Sequence, residues 1–292
     1  MLDLLVPCRL GIYEGVITVE QSAGNPALPT APVYVVAREL ITPDIRLPEV
    51  LEVALESGAD GFELAQDQIA VIMNPDDAED LLPLLARFAE RPTLTVSRPL
   101  FVASSFQREL LLATLVQCHA LGCALVAFPL GDVTSVTDEM LDVVQGIVTA
   151  AQERAPEVRI TVMNDRRPDN SDVRLWRWLL ERTSRWNAPV LMTLDLVGWV
   201  CAGGDITNAA HILGRYIAYL RVARAVSRNG GYVAKPPQPA DDIYPALTHL
   251  PPHVPRALAF GIAESDRERL VVIMSEFLEA IRTGTFALKE GV

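Results

Sequence analysis

The sequence predicts an α/β chain folded as a (β/α)8 barrel, a TIM barrel, with an N-terminal extension. Three observations point there. Short, largely apolar runs recur along the chain, as expected for strands buried on both faces of a parallel sheet. Amphipathic helical stretches separate them. Eight such units fit in 292 residues, and no glycine-rich dinucleotide fingerprint follows the first strand, which lowers a doubly wound open sheet.

Residues 1–30 do not fit the repeat. They hold an apolar stretch, Gly15–Val19, and open a Pro/Gly-containing connector, Gly24–Pro32. They read as an extension, a hairpin capping one barrel end, which leaves 31–292 as the barrel domain. Strands are expected over Val33–Ala37, Gly61–Leu64, Thr93–Ser97, Ala124–Phe128, Arg159–Met163, Val190–Asp195, Ile217–Ala223 and Arg256–Phe260. Pro48 suits the first turn of the first helix and Gly58 its end. Leu81, Leu84, Leu85 and Phe88 recur at helical spacing, and so do Met140, Val143, Val144, Ile147 and Ala151. Gly122 closes the helix before the fourth strand. Trp176, Trp178 and Trp186 share one helical region and read as helix–helix or subunit contacts. Asn229-Gly230-Gly231 marks a hairpin. Leu270, Ile273, Met274, Phe277, Leu278 and Ile281 form the stripe of the last helix, with Ser265 and Glu268 as a capping box and Gly284 at its end.

Composition narrows the function classes. Lys+Arg is 25 against 37 Asp+Glu, a formal net charge of -12, so a nucleic-acid footprint and a polybasic membrane anchor are both disfavoured. Mean hydropathy is +0.24, yet no stretch approaches 18 uninterrupted apolar residues. The N-terminus has no basic segment ahead of a long apolar one, so no secretory signal is expected. Four cysteines, Cys8, Cys118, Cys123 and Cys201, are no disulfide framework. Cys118 and Cys123 flank His119 and read as buried thiols, not as a metal site. A reducing cytoplasm is the expected compartment.

In such a barrel, chemistry collects at the C-terminal ends of the strands. Those positions offer Glu63, Ser97-Arg98, Phe128-Pro129, Met163-Asn164-Asp165-Arg166, Asp195 followed by Trp199, Arg221 and Arg224, then Ala259, Phe260 and Glu264. The set is polar enough for a small-molecule pocket. It contains neither histidine nor cysteine, so no Ser-His-Asp or Cys-His arrangement is visible.

Five stretches then resemble one family in order and spacing. Ser57 to Leu64 resembles its strand-two motif, Ile160 to Asp165 its strand-five motif, and Thr193 to Trp199 with Ala202 to Asp205 its strand-six motif. Tyr219 to Arg228, continuing to Pro237, resembles strand seven, and Pro255 to Phe260 strand eight. The chain therefore resembles the sugar phosphate isomerase/epimerase family, the xylose isomerase-like TIM barrels, over about residues 33–285. The resemblance implies one divalent metal held by a Glu, an Asp, a His and a Glu on strands five to eight. Carried over, those positions are Met163, Asp195, Val222 and Ala259, of which only Asp195 is a ligand type. A one-residue shift puts Arg221 in place of Val222. One carboxylate cannot hold Mg²⁺, Mn²⁺ or Zn²⁺ against water. No cofactor is therefore expected, and a divalent metal on other ligands is the weaker option.

The resemblance implies a small sugar or sugar-acid ligand and allows a homodimer through helix faces. Asp195 and Glu63 are the candidate catalytic carboxylates. Arg224, Asn164, Asp165, Trp199 and Arg98 are the candidate substrate-binding residues. Each has a plainer reading: an Arg224–Asp195 ion pair, a Glu63–Arg98 pair, local Asp165–Arg pairing, and Trp199 as core. Three functions stay open. One is a sugar isomerase/epimerase-like protein with a degenerate metal site and weak or absent metal-dependent activity. The others are a metal-independent sugar or keto-acid isomerase/epimerase and a non-catalytic barrel subunit.

Overall fold

The structure is a computed structural model, and it describes residues 31–40, 46–68, 81–238, 241, 243–262 and 266–283. The expected extension over 1–30, the Ser265 cap, Glu264 and the Gly284 stop lie outside these residues.

Eight parallel strands close a barrel: β1 (Val33–Val36), β2 (Gly61–Ala65), β3 (Thr93–Thr95), β4 (Leu125–Pro129), β5 (Arg159–Met163), β6 (Leu191–Asp195), β7 (Ile217–Val222) and β8 (Arg256–Leu258). Each pairs with its neighbour in sequence, and β8 returns to β1 through Val33↔Arg256 and Val35↔Leu258. The expected bounds shift by one or two residues. β8 ends at Leu258, yet Ala259 N still donates to Val222 O (3.0 Å), so Ala259 keeps its place in the wall.

Helices follow the strands and bury one stripe each. Helix Leu47–Glu56 carries Pro48 in its first turn, and Gly58 follows at φ +82 in the left-handed region. Helix Asp138–Gln152 is capped by Thr137 and buries Leu141, Val144, Val148 and Ala151. Its apolar spacing misassigned one position: Val143 is 66% exposed. A β-branched residue fits a helical stripe by count, but packing chose the face one residue round. Helix Arg267–Thr283 is capped by Asp266, whose Oδ1 accepts from Arg269 N (3.0 Å). Among the described residues no helix is long and apolar enough to cross a membrane.

The first strand and the last described helix meet at the barrel base. Asp60 Oδ2 accepts from Val33 N (2.8 Å) and from Arg282 Nη2 (3.0 Å), which ties the last helix to the first strand. Inside the base, Tyr34 and Tyr219 meet edge to face at 5.5 Å. Gly61 leaves room for the Tyr34 ring, because a Cβ there would sit 2.2 Å from Tyr34 Cε1. A cleft of about 470 Å³ opens at this end, lined by Tyr34, Tyr219, Arg91 and Arg159. At the opposite end an antiparallel hairpin, Arg224–Arg228 with Gly231–Lys235, rises from β7. Its turn uses Asn229 (φ 52) and Gly230 (φ 77), the left-handed pair such a tight turn requires.

Candidate functional site

The C-terminal mouth holds a pocket of about 230 Å³ whose lining includes Glu39, Met163, Asn164, Asp195, Arg221 and Ala259. Register builds it. Asp195 on β6 faces Arg221 on β7, and Arg221 faces Ala257 on β8. Side chains alternate along a strand, so an inward Arg221 turns Val222 outward, where it is fully buried against the helix layer. Arg221, not Val222, is thus the strand-seven residue that faces the pocket.

Arg221 is the centre of the floor. Its Nη1 donates to Asp195 Oδ2 (2.5 Å), and its Nε lies 3.2 Å from Glu63 Oε1. The Arg221 side chain is 12% exposed and that of Glu63 is 1% exposed. Burial alone would push the Arg221 pKa down. Glu63, Asp195 and Glu39 outweigh it and hold the guanidinium above the ordinary arginine value. Thr95 Oγ1 donates to Glu63 Oε1, while buried Glu63 Oε2 has no hydrogen-bond partner. Asp195 Oδ1 accepts from Gly198 N (2.8 Å) and caps helix Leu196–Cys201.

Asn164 fixes the strand ends. Its Nδ2 donates to Asp195 O and its Oδ1 accepts from Asp195 N, both at 2.8 Å. It is almost fully buried, so its amide acts on backbone. Asp165 is held by Arg167 through the backbone N (2.9 Å) and Nε (3.1 Å), the local pairing expected. Exposed Arg166 stands between them at the pocket edge.

Three expectations are corrected. Arg224 does not pair with Asp195. It leaves the barrel on the hairpin, where its Nε lies 3.8 Å from Asp241 Oδ2 and its Nη1 donates to Gln238 Oε1. Arg98 does not pair with Glu63, because it is exposed while Glu63 faces Arg221 inside the barrel. Trp199 offers no face to a sugar. It is fully buried beside Trp176 at 6.5 Å, with Nε1 donating to Asp205 O (3.2 Å). Trp186 falls beyond helix Val173–Thr183 and packs inside the chain.

Glu39 was missed by the sequence reading. It follows β1 on the short helix Ala37–Leu40 and lines the pocket with Arg221. Burial raises its pKa; Arg221 pulls it back, and Asp195 and Glu63 push it further up. The signal was its position two residues past the expected first strand, the strand-end rule applied to the one strand where it was not used. Arg221 carried a different signal: an arginine inside an apolar strand needs a buried counter-charge.

No protein-family model matches the sequence, and no curated protein matches it. Solved structures do. IolI, a structure described with a binding zinc atom, superposes with a TM-score of 0.65 at 15% identity, covering 88% of this chain and 100% of that one. D-psicose 3-epimerase from Clostridium cellulolyticum H10 gives 0.59 at 12% identity over 86% of this chain and 98% of its own. The probable 3-DHS dehydratase AsbF from Bacillus anthracis gives 0.63 at 12% over 83% and 97%. The (β/α)8 barrel fold is therefore shared with these structures.

A metal is the group this fold implies, and the floor does not fit one. The inward residues are Met163, Asp195, Arg221 and Ala259. At these four positions a thioether and a methyl group offer no hard donor, the Asp195 carboxylate is bonded to a guanidinium, and that guanidinium repels a second cation. Among the described residues no group of three or more His, Cys, Asp and Glu could hold a metal ion.

Proposed function

We propose that the protein binds a small sugar or sugar acid at the barrel mouth without a divalent metal, as an isomerase/epimerase-like barrel with a degenerate metal site. The observation that carries this reading is the Arg221 guanidinium, fixed between Glu63 and Asp195 on the pocket floor. A fixed cation in a partly desolvated site is a strong donor to a carbonyl or hydroxyl oxygen. Exposed Arg166 at the edge suits a ligand carboxylate, and Asn164 and Asp165 shape the loop that presents it. Buried free thiols at Cys118 and Cys123 support a reducing compartment, with the cytoplasm as the proposed location.

The test is calorimetric titration with sugars and sugar acids, in chelator and then with Mn²⁺, Co²⁺ or Zn²⁺. Binding unchanged by chelator is the expected result. Binding that needs the ion, with near-stoichiometric metal lost in Asp195→Ala, overturns the reading. A second reading, a subunit in an assembly or homodimer, is favoured by Val116 and Val143. They stand 70% and 66% exposed on two packed helices. Sedimentation velocity checks it: a monomer at all concentrations rejects the homodimer.

A further inference from the structure

Two described carboxylates besides Glu39 line the pocket, Asp165 and Asp195, a third, Glu63, lies behind Arg221, and all three are committed. Glu63 is sealed in the wall against Arg221 and Thr95. Asp195 has one oxygen on Gly198 N and the other on Arg221. Asp165 has both oxygens on Arg167. Glu39 lines the same cavity and accepts no hydrogen bond from a described residue. Arg221 Nη1 donates to Asp195, its Nε lies 3.2 Å from Glu63 Oε1 without making a hydrogen bond, and its Nη2 donates to no described residue. One uncommitted carboxylate and one uncommitted guanidinium edge therefore share a 230 Å³ cavity.

We propose that Glu39 is the proton-transfer residue of a metal-free ketol isomerisation in this pocket, with the Nη2 edge of Arg221 as the electrophile. The proposal rests on the reading that the pocket takes a sugar or sugar acid. The substrate class is the α-hydroxy aldehydes and α-hydroxy ketones. The ionised Glu39 carboxylate removes the proton from the hydroxyl-bearing carbon next to the carbonyl. The C–H electron pair becomes the carbon–carbon double bond, and the carbonyl π pair moves onto oxygen, which accepts from Arg221. Glu39 then returns its proton to the former carbonyl carbon, and a proton passes between the two oxygens. Atoms and charge balance with no co-reactant. A single base works from one face, so a 1,2-shift between aldose and ketose follows, whereas inversion at one carbon needs a second base on the opposite face. The raised pKa of Glu39 suits a group that must both take and give a proton.

The experiment follows deuterium by proton NMR. The full chain is incubated in D₂O and chelator with dihydroxyacetone, D-glyceraldehyde, D-fructose and D-tagatose. The expected result is deuterium at the carbon beside the carbonyl and aldose–ketose interconversion of at least one probe. Glu39→Gln should lower the rate by ~100-fold or more with binding of that probe retained. Glu39→Asp should recover part of the rate, which a merely structural role for Glu39 would not give. Failure of every probe to exchange in the wild type, or equal rates in Glu39→Gln, overturns the proposal. Epimerisation without isomerisation overturns the single-base assignment. A probe that binds without exchanging sinks this proposal and leaves the binding reading standing; sugars and sugar acids that do not bind at all sink the binding reading itself.

Discussion

Replacing Arg221 by Met removes the only positive charge facing Glu63 among the described residues, at a site where Glu63 is 1% exposed and its Oε2 is already unpaired. Breaking a buried pair on one side costs ~3–5 kcal/mol, because a charge is left without compensation. Protonation sets a ceiling. A buried carboxylate without a counter-charge takes up a proton, and neutralising an ordinary glutamate at pH 7 costs about 3.7 kcal/mol. Asp195 adds less, since it keeps Gly198 N and reaches water. At roughly 2–4 °C per kcal/mol for a domain of this size, the midpoint should fall by roughly 7–15 °C at pH 7. The ceiling drops with pH, so the loss should shrink towards pH 5, where protonation costs only about 1 kcal/mol. Calorimetry across that range, with Glu63→Gln added to Arg221→Met, reads both effects. The double variant should recover most of the loss. A loss that is independent of pH, or that survives Glu63→Gln, would refute the charge argument.

Asn164→Ala removes two hydrogen bonds to the Asp195 backbone, and urea unfolding should show a loss of about 2–3 kcal/mol. Gly61→Ala drives a Cβ to 2.2 Å from the Tyr34 ring, so a loss of about 1–3 kcal/mol is expected, largely relieved by Tyr34→Leu in the same unfolding assay. Glu39 binds its proton more tightly folded than unfolded, so its contribution to stability is fully present below the unfolded value and is lost as pH rises through the folded one. Glu39→Gln should therefore gain on the wild type as pH rises from 4 to 8; a constant difference in chemical denaturation contradicts this. Val143→Glu should shift stability by less than about 0.5 kcal/mol, since Val143 is 66% exposed.

The barrel was legible because its signals are local and repeated. Apolar runs such as Arg159–Met163 became strands with their bounds intact, and Pro48 and Gly58 marked a helix that the chain forms. The site was legible only as a set of strand-end positions. Asp195, Glu63, Asn164 and Asp165 converge there, but their partners are decided by register and pleat, which the sequence carries only collectively. Arg224 illustrates the difficulty. It lies three residues beyond Arg221, and the chain leaves the barrel between them to form the hairpin. Trp199 illustrates another: a tryptophan at a strand end reads as a stacking platform, yet a short helix turns it inward beside Trp176.

The guanidinium on the floor also changes what the site depends on. A metal centre is completed after synthesis, competes for its ion and is emptied by chelators. A cation carried on β7 is in place as soon as the barrel closes. On the proposed metal-free reading the site does not depend on ion supply, and one substitution does not make it a metal site. Exchanging Arg221 for histidine restores one donor type while Met163 and Ala259 still offer none, and it strands Glu63 in the wall on the way. On that reading Arg221 acts as a ratchet, because losing it removes the counter-charge of Glu63 before any donor for a metal is gained.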